Sequence, residues 1–136
     1  MSVQLDLFDG SASLDPTYEV KRQIRLALKE SDLSRDQVAD AMNELAAQDG
    51  ISKRASKATL DSWTKDSDRD RLPSLMWLNY FCEVVGSLSP YIAVIRPLGG
   101  RVIGLDEVKL LNWAEAEQEK RQAAKRARLA LENLES

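Results

Sequence analysis

Histidine is absent from this sequence, and cysteine occurs only once, as Cys82. Histidine is the commonest general base and a frequent zinc ligand, and a single thiol cannot complete a zinc site. The carboxylates are accompanied by no glycine-rich phosphate loop and no nucleophile motif. The sequence therefore predicts a protein that is not an enzyme and that uses no metal ion and no cofactor.

Long apolar segments are missing as well. No segment approaches the roughly 20 apolar residues that cross a bilayer. The N-terminus also lacks a basic segment followed by an apolar one, as a secretory signal would have. Cys82 lies in an apolar segment, which is typical of a buried, reduced thiol. We therefore expect a cytoplasmic protein with no membrane partner.

The net charge of −3 is unevenly distributed along the chain. Residues 34–50 hold one cation and four carboxylates, whereas residues 51–72 hold six cations and four carboxylates. Local charge decides whether a surface can approach phosphate. The acidic total therefore does not exclude nucleic acid as a partner.

Four helices are predicted within residues 17–86. The first has an apolar stripe at helical spacing, and its cations are expected on the solvated faces: Val20, Ile24, Ala27 and Leu28, with Lys21, Arg22, Arg25 and Lys29. Ser34 and Gln37 form a capping-box pair at the start of the second helix, whose stripe is Val38, Ala41, Met42 and Leu45.

The third helix is predicted to begin after Ser56, with Leu60 and Trp63 facing the core. The fourth comprises "LPSLMWLNYFCEVVG", in which Pro73 suits the first turn and Gly86 ends the helix. Residues 87–105 form a connector, with "SPYIAVI" as a short helix and "RVI" as a short strand.

Residues 106–136 form a long helix that is rich in strong helix formers. Residues that alternate by three and four form one face of it, with Lys120 as the polar interruption: Trp113, Ala116, Ala123, Ala127, Ala130 and Leu134. This spacing is typical of a coiled coil. Small alanine side chains bury little area, so the helix is expected to need a partner. We predict a homodimerisation helix.

Two segments carry a resemblance to a known family. "LSRDQVADAM" followed by "ASKATLDSW" resembles the paired helices of lambda-repressor-like DNA-binding proteins, and the layout of residues 17–134 resembles small helix-turn-helix proteins of Mu-like temperate phages. The resemblance implies a mostly α fold: a helix-turn-helix bundle at 17–86 with a short β element and a long C-terminal helix. It also implies double-stranded DNA as the partner, and we expect transcription regulation as the role.

The third helix would be the recognition helix, and its outward residues and their neighbours are the predicted DNA-binding set: Lys53, Arg54, Ser56, Lys57, Ala58, Asp61, Ser62 and Lys65. Lys57 could reach a guanine edge or a phosphate, and the serines could bond phosphates. Asp61 brings a negative charge, although a carboxylate can accept from a cytosine amino group.

The segment between the two paired helices is longer than in family members with a tight turn, because residues 43–54 intervene. The extra length could extend the second helix and change its angle to the third. The alternative is therefore a fold that has lost DNA contact and acts as a protein-interaction module.

Residues 1–16 are predicted to be a flexible arm. Within it "QLDLF" resembles the pentapeptide by which bacterial replication and repair proteins bind the sliding clamp, and all five positions match: Gln4, Leu5, Asp6, Leu7 and Phe8. The resemblance implies that Leu7 and Phe8 enter an apolar pocket of the clamp. Alternatively, the arm adds a strand to "RVI", clasps a second copy or covers the fourth helix.

Overall fold

The structure, a computed structural model, describes residues 13–135, and all its regular elements there are helical. The residues up to Val102 form one compact unit, and those from Ile103 onward form another. The first unit contains five α-helices followed by a 3₁₀ turn at Arg96–Leu98: α1 (Thr17–Glu30), α2 (Arg35–Gln48), α3 (Lys57–Thr64), α4 (Leu75–Val85) and α5 (Ser89–Ile95). The mostly α fold class is therefore confirmed.

Side-chain caps set the starts of α2 and α3, as predicted. Ser34 accepts a hydrogen bond from the backbone N–H of Gln37, and the Gln37 side chain accepts one from the backbone N–H of Ser34. Ser56 and Thr59 form the same reciprocal pair at the start of α3. Each pair satisfies two N–H groups that have no partner inside the helix.

The start of α4 differs from the prediction. Pro73 lies before the helix, and Ser74 is the cap, because its side chain accepts a hydrogen bond from the backbone N–H of Trp77. At the other end Gly86 has φ of +69°, the left-handed conformation that commonly ends a helix. The predicted end of α4 is therefore confirmed, and its start is moved to Leu75.

The helices of the first unit pack around one apolar core. α1 lies against α3 and α5, whereas α2 lies against α3 and α4. Trp63 of α3 meets Phe81 of α4 edge to face, with ring centroids 6.4 Å apart. The predicted stripe of α1, Val20, Ile24, Ala27 and Leu28, is buried throughout. α3 is thus held by two helices while it contributes Leu60 and Trp63 to the core.

The buried face of α2 is rotated from the predicted stripe. Val38 and Met42 are buried as expected, but Ala41 and Leu45 are only partly buried. The face is completed instead by Ala39, Asn43 and Ala46. From the sequence, Asn43 is assigned to the segment between the paired helices, so the burial of Asn43 is not predicted.

The short β element is not found. Within residues 13–135 no strand forms, and Arg101–Ile103 is an irregular segment. A strand needs an extended neighbour to pair its backbone groups, and the described part of the chain offers no such neighbour to "RVI". The predicted short helix in this connector is confirmed as α5, with Pro90 in its first turn.

The second unit contains α6 (Leu105–Glu135), which is one continuous helix of 31 residues. The predicted long C-terminal helix is therefore confirmed. Of the helices in the described part of the chain, α6 included, none has a stretch that is both long and apolar enough to cross a membrane.

Candidate nucleic-acid interface

α3 separates its inward and outward side chains as a recognition helix must. Leu60 and Trp63 are buried, whereas Lys57 and Ala58 are exposed at the N-terminal end. The side chain of Lys57 is 55% exposed. The first turn of α3 therefore presents both a cation and a small residue to solvent, which is the arrangement that lets a helix approach a groove.

Asp61 is paired with two cations. Its Oδ1 accepts a hydrogen bond from Arg35 Nη1 at 2.6 Å, and its Oδ2 accepts one from Lys57 Nζ at 3.0 Å. The hydrogen bonds from Lys57 and Arg35 hold the pKa of Asp61 below its ordinary value. The carboxylate that opposed DNA binding in the sequence is thus compensated, and the three-residue cluster keeps one net positive charge.

Arg35 was not among the predicted site residues. It is the first residue of α2, and it bonds Asp61 and also the hydroxyl of Thr64, at 3.2 Å. Arg35 and Asp61 are 26 residues apart in the chain. The helical pattern in the sequence contains no signal for this pairing, since it depends on how α2 packs against α3.

The hydroxyl groups of Ser56 and Ser62 take part in bonds within α3. Ser56 Oγ accepts from the backbone N–H of Thr59 at 3.3 Å, and Ser62 Oγ donates to the carbonyl oxygen of Thr59 at 2.6 Å. Ser62 thereby uses its only hydroxyl proton inside the helix. A phosphate contact by Ser62 requires that this bond be exchanged.

The prediction that Lys21 lies on the solvated face of α1 is wrong, because its side chain is fully buried. Its Nζ donates to the carbonyl oxygens of Ser62 at 3.1 Å and Arg71 at 2.8 Å. Burial lowers the pKa of Lys21. The backbone carbonyls at the end of α3 lack donors within the helix, and a buried ammonium group supplies one.

Arg25 acts at the same end of α3. Its Nη1 donates to the carbonyl oxygen of Thr64 at 2.7 Å and lies 3.3 Å from a carboxylate oxygen of Asp66. The other two cations of α1, Arg22 and Lys29, are exposed as predicted. Lys21 and Arg25 therefore fix the C-terminal end of α3.

The segment between the paired helices is ordered by Asn43. α2 continues through Gln48, so part of the extra length is helical, as the sequence suggested. The backbone N–H and carbonyl groups of Ala55 both bond the Asn43 side chain, at 2.7 and 2.8 Å. Both residues are buried. The segment thus reaches α3 at a fixed position, one residue before the cap Ser56.

The flanking cations have different surroundings. Lys53 and Lys65 are exposed on either side of α3. Arg54 is exposed too, but it lines a shallow pocket with two carboxylates of α2, Asp40 and Glu44. The two carboxylates offset the positive charge of Arg54 on this side of the first unit.

A second shallow cleft borders the other side of α3. Ala58 and Ser62 line it together with Asp68, Asp70 and Arg71 from the loop that follows. Two carboxylates and one cation thus stand beside the exposed face. This side of α3 is therefore more acidic than the side of Lys53 and Lys57.

The predicted dimerisation residues are all exposed in the second unit: Trp113, Ala116, Ala123, Ala127, Ala130 and Leu134. The predicted clamp-binding residues Gln4, Leu5, Asp6, Leu7 and Phe8 lie outside the described residues. Among the residues that are described, no group of three or more Cys, Asp or Glu side chains could hold a metal ion.

The three residues that the sequence prediction missed, Arg35, Lys21 and Asn43, act on α3 from other elements. Only Asn43 carried a usable signal, since it stands between the apolar Met42 and Ala46 on a buried helix face. Comparisons of the chain with protein-family models, with curated proteins and with solved structures find no match.

Proposed function

We propose that this protein is a phage-type, sequence-specific DNA-binding protein of the lambda-repressor-like helix-turn-helix class. It acts in the cytoplasm as a dimeric transcription regulator and has no enzymatic activity. The observation that carries the proposal is the first turn of α3, where Lys57 and Ala58 are exposed while Leu60 and Trp63 anchor the helix in the core.

The charges around α3 also support the proposal that this helix contacts DNA. Arg35 and Lys57 share one carboxylate, so their cluster remains cationic. The exposed Lys53 precedes the cluster in the chain, and the exposed Lys65 follows it. Backbone contacts by such cations fix the register of a protein on a duplex, and Lys57 can then reach a base edge.

Dimerisation belongs to the proposal because one copy supplies few phosphate contacts. Each contact contributes a salt-dependent term, and a protein with three or four of them binds weakly at physiological salt. Two copies joined by α6 double that number and read two half-sites.

The test begins with an unbiased selection of genomic fragments bound by the full chain. On the selected duplex, Lys57→Ala should reduce the affinity and lower the salt slope by roughly 0.9, which corresponds to one lost phosphate contact. Arg54→Ala should reduce the affinity less, because Asp40 and Glu44 already lie beside Arg54. Arg96→Ala removes an exposed cation outside α2 and α3 and serves as the matched control.

The proposal fails if the selection enriches no sequence. It also fails at this helix if Lys57→Ala and Arg54→Ala leave both the affinity and the salt slope unchanged. Either result favours a protein-interaction module built on the same helices.

A second function is favoured by the sequence of residues 4–8. We infer that Gln4–Phe8 binds the bacterial sliding clamp, with Leu7 and Phe8 in its apolar pocket, and that the arm tethers the helical unit there. A tether of this kind raises the local concentration of a DNA-binding unit near replicating DNA. The two functions are compatible.

Capture of purified clamp by the full chain tests this function. The variant Leu7→Ala/Phe8→Ala should lose capture, whereas Leu14→Ala, a change just outside the pentapeptide, should retain it. Capture that persists in the double variant overturns the clamp function and leaves DNA binding untouched.

A further inference from the structure

α6 has two halves of opposite charge. Residues 105–119 contain five carboxylates and one cation, and residues 120–135 contain five cations and two carboxylates, Glu132 and Glu135. A helix of 31 residues is about 46 Å long at 1.5 Å per residue. The two kinds of charge are thus separated along the axis of a single rod.

Large apolar side chains are exposed near both ends of this rod. Leu110 and Trp113 are 63% and 62% exposed, and Leu131 and Leu134 are 61% and 83% exposed. Between these ends the face defined by the three-and-four spacing contains the small residues Ala116, Ala123 and Ala127. The residues of this face from Trp113 to Leu134 are therefore exposed in the second unit, as far as the structure describes it.

We propose that the partner of α6 is the α6 of a second copy, and that the two helices run antiparallel. The inference rests on the proposed dimer and adds its orientation, which the sequence pattern leaves open. In an antiparallel pair the acidic half of each helix lies on the basic half of the other. In a parallel pair the two acidic halves lie side by side and so do the two basic halves, and the excess of like charge in each half is repulsive.

The packing favours the same orientation. A two-fold pairing that keeps the face in register places residue i opposite residue 243 − i, so that Trp113 faces Ala130, and Ala116 faces Ala127, in the second copy. A large side chain thereby meets a small one in each outer layer, which fills space without overpacking. A parallel pair instead stacks Trp113 on Trp113 in one layer and leaves Ala130 opposite Ala130 in another.

The flanks of this face are complementary too. In an antiparallel pair, the residues on one side of the face contact the residues on the same side of the face in the second copy. The heptad spacing therefore brings Glu119 next to Arg126 of the second copy. On the other flank Leu110 comes next to Leu131. Two-fold symmetry repeats each pair, so the interface gains two ion pairs and two apolar contacts.

Lys120 is the polar interruption of the face. In the antiparallel pairing it lies opposite Ala123, a small residue that leaves room for the lysine stem while the ammonium group reaches solvent. A parallel pairing sets Lys120 against Lys120 in one layer. This residue therefore opposes the parallel arrangement.

Disulfide trapping in the full chain distinguishes the orientations without DNA. Ala116→Cys and Ala127→Cys are made as separate variants, and one of them carries a tag that changes its size. Each variant is oxidised mildly on its own, and the two are also mixed and then oxidised. In the antiparallel pair positions 116 and 127 face each other, whereas two copies of position 116 are about 16 Å apart along the axis. A disulfide needs Cα atoms within about 7 Å.

We expect a disulfide-linked dimer in the mixture that contains one tagged and one untagged chain, and none with either variant alone. The native Cys82 gives a low background, because burial raises its pKa to about 11. Homodisulfides in each variant alone overturn the antiparallel arrangement, and so does the absence of any disulfide. DNA binding by the same variants is measured separately, so its loss or retention does not affect this readout.

Charge reversal provides a second measurement. Glu119→Arg should weaken the dimer about tenfold in sedimentation equilibrium, because at both symmetry-related sites an arginine at position 119 then faces Arg126 of the other copy. Combining it with Arg126→Glu should restore the dissociation constant. A combined variant that remains as weak as the single one contradicts the pairing.

Discussion

The side-chain amide of Asn43 bonds both backbone groups of Ala55 across a gap of 12 residues in the chain. This relationship determines where α3 begins, because Ala55 directly precedes the cap residue Ser56. An extra-long segment between paired helices would ordinarily leave the second helix loosely placed. Here two hydrogen bonds in the core remove that freedom.

Replacing Asn43 by Ala should destabilise the protein strongly. The change leaves the buried N–H and carbonyl of Ala55 without partners, at about 1–3 kcal/mol for each group. Asn43→Asp keeps the acceptor but places a buried carboxylate against the carbonyl oxygen of Ala55, so it should destabilise the protein as well. Urea unfolding measures both, with the exposed Gln48→Ala on the same helix as control. Equal stabilities for Asn43→Ala and Gln48→Ala contradict this role for Asn43.

Replacing Lys21 by Met should also lower the free energy of unfolding, by about 1–3 kcal/mol. Methionine keeps most of the volume, but the carbonyl oxygens of Ser62 and Arg71 lose their donor. Arg22→Met, at the next position of α1, removes only an exposed ion pair and should cost less than about 1 kcal/mol. A Lys21→Met variant that is more stable than the wild type shows that the buried ammonium costs more in desolvation than its hydrogen bonds return.

Replacing Asp61 by Asn should strengthen DNA binding. The carboxylate is removed from the surface, and Arg35 and Lys57 become available to phosphate, so we expect affinity to rise roughly tenfold, about 1.4 kcal/mol. Glu83→Gln, which neutralises an exposed carboxylate on α4, is the control for net charge. Weaker binding by Asp61→Asn to the selected duplex, with no loss for other sequences, indicates instead that Asp61 reads a base.

The stability contributed by Asp61 should depend on pH in a defined direction. Its pKa is lowered in the folded state, so the contribution is fully present above the unfolded pKa of about 3.9 and is lost as pH falls through the folded value. Urea unfolding of wild type and Asp61→Asn should differ by less than about 1 kcal/mol at pH 7 and converge in acid. In an Arg35→Ala/Lys57→Ala background this convergence should disappear, and its persistence assigns the effect to other groups.

Much of the architecture followed from local patterns. Ser34 with Gln37 fixed the start of α2, and the stripe of Val20, Ile24, Ala27 and Leu28 fixed the buried face of α1. Such features involve residues that are neighbours within one or two helical turns, so the sequence contains both partners side by side. The same locality explains the correct inward direction of Leu60 and Trp63.

The strand expected at Arg101–Ile103 shows where local patterns failed. Two β-branched residues raise strand propensity, but a strand forms only with a pairing partner, and none exists among residues 13–135. The predicted solvent exposure of Lys21 was wrong for a related reason. A cation on a helix is usually solvated, so the local pattern favours exposure. Only the positions of Ser62 and Arg71, 41 and 50 residues away, made burial favourable.

The sequence by itself determined the helices, the caps of α2 and α3, the exposed first turn of α3 and the separation of charge along α6, since each is settled by residues close together in the chain. The tertiary structure alone decided which polar groups hold α3 in place: Arg35 bonds Asp61, Lys21 bonds the carbonyl oxygen of Ser62, and Asn43 bonds the backbone of Ala55. The physical reason is that a buried or shared polar group needs hydrogen-bond partners, and here these partners lie on other elements. Their positions depend on how the helices pack.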